Sequence, residues 1–148
     1  MLGFEPKDRR LRCMGHVINL IVEAYLFGQD CSTFEVQWKK AGGPQRRQLW
    51  RGRGELGKLH NLVAHVMASG KRSDVFRDLQ IDNNVGVANG KIWQLVLDGG
   101  IRWNASYSMI RRALELRQAL SEYQRKLKAS KDEFDAETFK HDCLSNDD

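Results

Sequence analysis

The chain has 148 residues, of which 41% are hydrophobic, and it carries 24 Lys and Arg against 19 Asp and Glu, for a formal net charge of +5. That size fits one domain or part of a larger one, and no apolar run approaches the roughly 18 residues of a membrane span. Its 3 cysteines are an odd number at irregular spacing, which argues against a disulfide framework and favours a reducing compartment.

The N-terminal half of the sequence predicts two main helices on either side of a polar segment. After residues 11–13, which could end a short strand, apolar side chains recur at helical spacing from His16 to Phe27. Residues 29–54 are rich in glycine and are predicted to form a polar loop. A second apolar stripe predicts an amphipathic helix from Glu55 to Met67, and Ser73 is the expected N-cap of a shorter helix after it.

The C-terminal half adds one strand and one long helix. The residues from Ile92 to Leu97 are the best strand candidate, and an apolar face predicts a helix from about Asn104 to Lys128. The tail from Asp132 carries seven acidic residues, and we expect it to be disordered. The expected fold class is α/β, mostly helical with one or two short strands, over residues 1–128, followed by the acidic tail at residues 129–148.

Basic charge is concentrated in the first half of the chain. Up to Arg72 there are 13 Lys and Arg against 6 Asp and Glu, while the remainder has 11 against 13. The segment Lys39 to Arg53 has six basic residues and no acidic one. Such a stretch can attract DNA phosphates with an affinity that falls as salt rises, although a solvated basic loop without a partner is the commoner meaning of the pattern. The candidate DNA-binding residues in it are Arg46, Arg47, Arg51 and Arg53.

Two short motifs place polar side chains near predicted helix starts. Cys13 and His16 could be half of a zinc site, ordinary junction residues or a polar functional position; no second ligand pair has a standard spacing, so no metal site is predicted. At the start of the long helix, Arg102 can form two parallel hydrogen bonds with a phosphate, and Trp103 can stack on an unpaired base. The competing interpretation, which composition alone favours, is a core tryptophan with an arginine beside it.

Metal-dependent DNA cleavage needs several carboxylates that converge on one pocket. The candidate carboxylates lie in separate predicted elements, and no pattern marks them as a set: Glu23, Glu55, Asp82 and Asp98. The residues by themselves therefore favour a nucleic-acid contact surface over an enzyme.

Three blocks of the sequence resemble hAT-superfamily DNA transposases, in a form frequent in fungal genomes. The blocks are, in order, Arg9 to Leu20, Gly57 to Asn61, and Arg102 to Leu114. The first is similar to the family's C-x-x-H-x-x-N-L pattern and the third to its R-W-N-S-x-Y pattern. The third block departs from the family at Ala105, where the pattern has Ser, and at Gly100-Ile101, which precede the pattern. Together the blocks and the segments between them span most of the chain.

The resemblance implies a ribonuclease H-like catalytic core that is interrupted by a helical insertion domain. Intact members hold two Mg²⁺ or Mn²⁺ ions with an acidic triad, whose first two carboxylates precede the C-x-x-H block and whose third lies far beyond the R-W block. Because that block begins at Cys13 here, we expect an internal fragment that is catalytically incomplete and holds no cofactor. The resemblance also places Cys13 and His16 near the active site. It implies that these two residues bind DNA together with Arg102 and Trp103, with the tryptophan at a flipped base.

The function expected from the sequence is a truncated transposase remnant with at most residual DNA binding and no strand cleavage or transfer. Its expected location is the nucleus, or the cytoplasm if the remnant is inactive, and no membrane association is expected. The alternative is a small interaction protein that binds intact transposase or another protein through exposed apolar helix faces. The partners expected besides DNA are a second copy of the chain or intact transposase. Salt-dependent binding to DNA would favour the first hypothesis, and salt-insensitive association with a protein the second.

Overall fold

A computed structural model describes residues 14–27, 31–84, 92–99 and 103–145, and these residues form α-helices and no strand. The helices, in chain order, are α1 (Met14–Phe27), α2 (Cys31–Lys40), α3 (Gly43–Arg51), α4 (Gly54–Met67), α5 (Gly70–Asp82), α6 (Trp103–Glu115), α7 (Arg117–Ala129) and α8 (Glu133–Asp142). The predicted α/β class, with its partial ribonuclease H-like sheet, is therefore wrong for the described residues. No helix among them is long and apolar enough to span a bilayer.

The segment predicted as a strand, Ile92 to Leu97, is neither helix nor strand. Its backbone forms hydrogen bonds with side chains and not with a neighbouring strand. The Gln80 side chain donates to the Trp93 carbonyl oxygen over 2.9 Å and accepts from the Trp93 amide over 3.1 Å. Leu95 is buried in the helical core. The apolar residues of this segment thus dock on helices, and a short apolar run looks the same in sequence whether it docks on helices or joins a sheet.

Helices α2 and α3 occupy the segment that was predicted as a polar loop. Gly42 is the N-cap of α3, and its amide donates to the Gln45 side chain over 3.1 Å. Pro44 lies in the first turn of α3, where its missing N–H has no helical acceptor to lose. Phe34 and Trp50 form a small core between the two helices, with their rings edge-to-face at 5.1 Å. The glycines and the proline therefore begin a helix here.

The main core is centred on α4, the helix that the second apolar stripe predicts. Leu62 and Val63 are fully buried, and α4 contacts α3, α5 and α8. Tyr123 of α7 belongs to the same apolar cluster. Where α3 meets α4, a Cβ at Gly57 would lie 1.7 Å from the Trp50 carbonyl oxygen, so the close approach of the two helices requires glycine.

The long helix predicted from Asn104 to Lys128 is two helices, and the acidic tail forms a further one. Helices α6 and α7 are separated at Leu116, which is fully buried. Helix α8 begins after Asp132, whose side chain accepts from the Asp135 amide over 3.0 Å. The disorder predicted for the tail is wrong at residues 133–142, because α8 packs on α4 and α7.

Candidate functional site

Helix α1 presents apolar side chains to solvent. Tyr25 is 88% exposed, Met14 73% and Ile21 63%. The one charged residue among the 14 of this helix is Glu23. A helix that is apolar on most sides is normally buried, and α1 contacts α2 and α6 without hiding this face. An exposed apolar helix face, of the kind that the alternative hypothesis requires, is present at α1.

The exposed side chains of α1 follow the spacing of a helix-pairing surface. Four of them, which we call the α1 seam, follow one another at intervals of three and four residues and are all exposed: Met14, Val17, Ile21 and Ala24. Residues at these intervals lie on one side of a helix, where they can pack against a second helix along several turns. The α1 seam is therefore suited to contact with another helix.

Two of the candidate arginines, Arg47 and Arg51, lie one helical turn apart on α3 and both reach Glu137 of α8. Arg51 Nη1 donates to Glu137 Oε1 over 2.9 Å, and Arg47 Nη2 lies 3.6 Å from Glu137 Oε2. The Arg47 guanidinium also lies 4.3 Å from the centre of the Phe134 ring. These two arginines are therefore turned towards the acidic helix.

Arg51 also belongs to a buried polar network. Its Nε and Nη2 donate to the two carboxylate oxygens of Asp142 over 2.9 and 2.7 Å. Asp142 is fully buried and accepts from the Asn61 side chain over 2.9 Å. The hydrogen bond to Asp142 outweighs the desolvation of the guanidinium and raises the pKa of Arg51. This network fastens the end of α8 to α3 and α4.

The other two candidate arginines lie against aromatic rings. Arg46 is exposed; its Nε donates to the Trp38 carbonyl oxygen over 3.1 Å, and its guanidinium lies 5.0 Å from the centre of the Trp38 ring. The Arg53 guanidinium lies 4.2 Å from the centre of the Phe34 ring. The four arginines thus have different surroundings and do not form one continuous exposed patch.

A buried polar group that was not predicted from the sequence links α4 to α6. Asp98 is fully buried; one of its carboxylate oxygens bonds to His60 Nδ1, and the other accepts from the Ser106 hydroxyl over 3.1 Å. Trp50 stacks on the His60 ring with 3.8 Å between centroids. The serine contacts the aspartate and not the histidine, so the group lacks the arrangement that activates a serine nucleophile. The one sequence signal for it is the position of His60 in the second block of family resemblance.

His65 is buried where α4 meets α7 and α8. Its Nε2 lies 3.0 Å from Asp135 Oδ1, and its Nδ1 lies 3.2 Å from the Tyr123 hydroxyl. Burial, helped by the charge of Arg72, lowers the pKa of His65. Burial acts to raise the pKa of Asp135, but the Ser130 hydrogen bond and the His65 and Arg72 charges outweigh it, so that pKa is lowered. Burial raises the pKa of Tyr123 to about 12.

The four residues to which the family resemblance gives a DNA-binding role have no described side chains. Cys13 and Arg102 lie outside the described residues, and so do the side chains of His16 in α1 and Trp103 at the start of α6. The role predicted for them stays a prediction. In the part of the chain that the structure does describe, no group of three or more His, Cys, Asp or Glu could hold a metal ion.

In its described part the chain is a helical domain with an apolar seam on one helix and charge pairs between α3 and α8. The family model of the ZBED1 RNase-like helical domain matches residues 11–146, and the chain belongs to this family. It is thereby related to hAT and ZBED transposase-derived proteins. Comparison with curated proteins gives no match, and neither does comparison with solved structures.

Proposed function

We propose that this chain is a non-catalytic helical domain of the transposase-derived kind and that it associates with a second copy of itself through the α1 seam. The exposure of that seam carries the proposal. Removal of apolar surface from water contributes about 25 cal/mol per Å² to association. An exposed apolar row along a whole helix therefore provides a driving force for pairing.

A second copy fits the seam because the seam carries no charge. Glu23 is the one charged residue of α1, so two such helices can meet without a row of like charges between them. Two copies related by a twofold axis present the same apolar spacing to each other, and such a contact closes on itself as a dimer. An intact transposase is the alternative partner, and it would have to offer an equally apolar surface.

Sedimentation velocity at increasing protein concentration tests the proposal, with Ile21→Lys as the variant and Leu114→Lys as the matched control. The two side chains are almost equally exposed, at 63% and 64%, but Leu114 lies on α6. We expect the wild type and Leu114→Lys to dimerise, and Ile21→Lys to stay monomeric because the contact would bury a lysine. A wild type that stays monomeric would contradict self-association, and equal loss of dimer in both variants would contradict the α1 seam as its site.

Weak DNA contact is a second candidate function, supported by basic residues that remain on the surface. Lys40 and Arg46 are exposed, and neither pairs with a carboxylate within the described residues. By resemblance, the motifs Cys13-x-x-His16 and Arg102-Trp103 would add contacts to DNA. Replacing Lys40 and Arg46 by Gln should weaken binding to all sequences alike and reduce the log–log salt slope by about one unit for each phosphate that is no longer neutralised. Binding that is unchanged in affinity and slope would count against this surface.

The proposal includes neither strand cleavage nor strand transfer. Asp98, one of the candidate carboxylates, is buried and engaged with His60 and Ser106, so it is not free to bind a metal ion. Purified protein with Mg²⁺ or Mn²⁺ should leave DNA with terminal inverted repeats uncut. Metal-dependent cleavage that survives repurification would overturn this part of the proposal. The family relationship supports a nuclear location.

A further inference from the structure

We propose that Arg47 and Arg51 form a phosphate-binding site on α3, in which the Glu137 carboxylate now takes the place of a DNA backbone phosphate. Both guanidinium groups meet this one carboxylate, at 3.6 Å from Arg47 and 2.9 Å from Arg51. A phosphodiester carries one negative charge, as a carboxylate does, and guanidinium groups form charge-assisted contacts with both. The inference rests on the DNA-contact part of the proposed function.

Contacts that do not involve Glu137 hold both arginines in position. Arg51 donates two hydrogen bonds to the buried Asp142, which Asn61 supports in turn. Arg47 lies on the ring of Phe134. Exchange of Glu137 for a phosphate would therefore leave both guanidinium groups where they are, which lowers the cost of binding.

Glu137 is the exchangeable member of the group. Its side chain is 40% exposed, whereas that of Asp142 is fully buried. Rotation of Glu137 into solvent would break its two charge contacts without opening the core.

Two glutamine variants on α8 separate competition for the site from a change in net charge. Glu137→Gln removes the competing carboxylate. Glu133→Gln makes the same change in net charge at an exposed residue in the first turn of the same helix. Anisotropy titration of a labelled DNA duplex at several salt concentrations measures affinity and slope, and circular dichroism checks the fold. We expect Glu137→Gln to bind several-fold more tightly than Glu133→Gln, with a salt slope steeper by roughly one unit.

Further measurements identify the source of the phosphate and separate the site at Arg47 and Arg51 from DNA contact in general. Adding Arg47→Gln to the Glu137→Gln variant should cancel the gain. If the wild type binds DNA but the two single variants behave alike, the site is refuted and DNA contact stands. If neither the wild type nor any variant binds DNA, both the DNA contact and the site for a DNA phosphate are refuted. Pyrophosphate that raises the melting temperature of Glu137→Gln, but not of Glu133→Gln, would then show a site for free phosphate only.

Discussion

Gly57 determines how closely α4 can pass the end of α3. A Cβ at this position would overlap the Trp50 carbonyl group, and backbone atoms of a helix cannot move aside as a flexible side chain can. Gly57→Ala should therefore destabilise the protein by about 1–3 kcal/mol or more, as overpacking does. Gly70→Ala is the control, because a Cβ there meets nothing within 4 Å. Urea unfolding compares the two, and equal stabilities would show that the α3–α4 contact can relax.

His65 should make the protein less stable in mild acid. Its pKa is lowered in the folded state by burial, so the unfolded chain binds a proton first as the pH falls below about 6.5. The free energy of unfolding should therefore fall from that pH downward until the folded-state pKa is reached. The free energy of unfolding should fall again at lower pH, when Asp135 is protonated, because its pKa is also lowered in the folded state.

Urea unfolding between about pH 7 and pH 5 measures the effect of His65. His65→Gln should reduce the slope of stability against pH in this range. His141→Gln serves as the control, because His141 is exposed on α8, and it should keep the wild-type slope. If the two variants have the same slope, another group causes the acid sensitivity.

Among the helices, α5 shows how a start signal can be misplaced by one turn. The sequence predicted Ser73 as the N-cap, but Ser69 fills that position, and its hydroxyl accepts from the Arg72 amide over 3.2 Å. The Ser73 hydroxyl donates to the Val66 carbonyl oxygen over 3.1 Å. Both serines precede apolar residues, so cap preference alone did not distinguish them.

Alanine substitution can separate the roles of these two serines. Ser69→Ala should cost about 1 kcal/mol, the usual effect of losing an N-cap side chain, because the Arg72 amide would lose its acceptor. Ser73→Ala should cost less, since the hydroxyl it removes is not the cap of the helix. Thermal and urea unfolding of both variants measure the difference. A larger loss for Ser73→Ala would place the effective start of α5 one turn later.

The sequence predicted helices at α1, α4 and α5 and one long helix over α6 and α7, but it did not predict α2, α3 and α8. The stripes predicted the positions of α1 and α4 to within two residues at either end. Helices α2 and α3 were missed because Gly42, Gly43 and Pro44 are typical of loops as well as of helix starts. The break at Leu116 was missed because the apolar pattern continues through it. The pattern of apolar residues within a segment does not reveal what that segment packs against.

For the whole molecule, charge along the chain was predictable but its pairing was not. The basic stretch and the acidic tail were both visible in the sequence. Their contact through Arg51, Glu137 and Asp142 joins residues more than 80 positions apart, and no local spacing predicts it. Local spacing does not predict the contact between His60 and Asp98 either. Long-range pairing therefore decided both the order of the tail and the accessibility of two candidate DNA-binding arginines, Arg47 and Arg51.

Amide hydrogen exchange at low and high protein concentration tests the central claim, that a second copy covers α1. Each amide is compared with itself, so the method locates the contact without any substitution. We expect amides of α1 to become more protected as the concentration rises, because pairing opposes local opening of that helix. Amides of α8 should not change. Protection of α1 that is independent of concentration, or a concentration effect confined to other helices, would contradict the account.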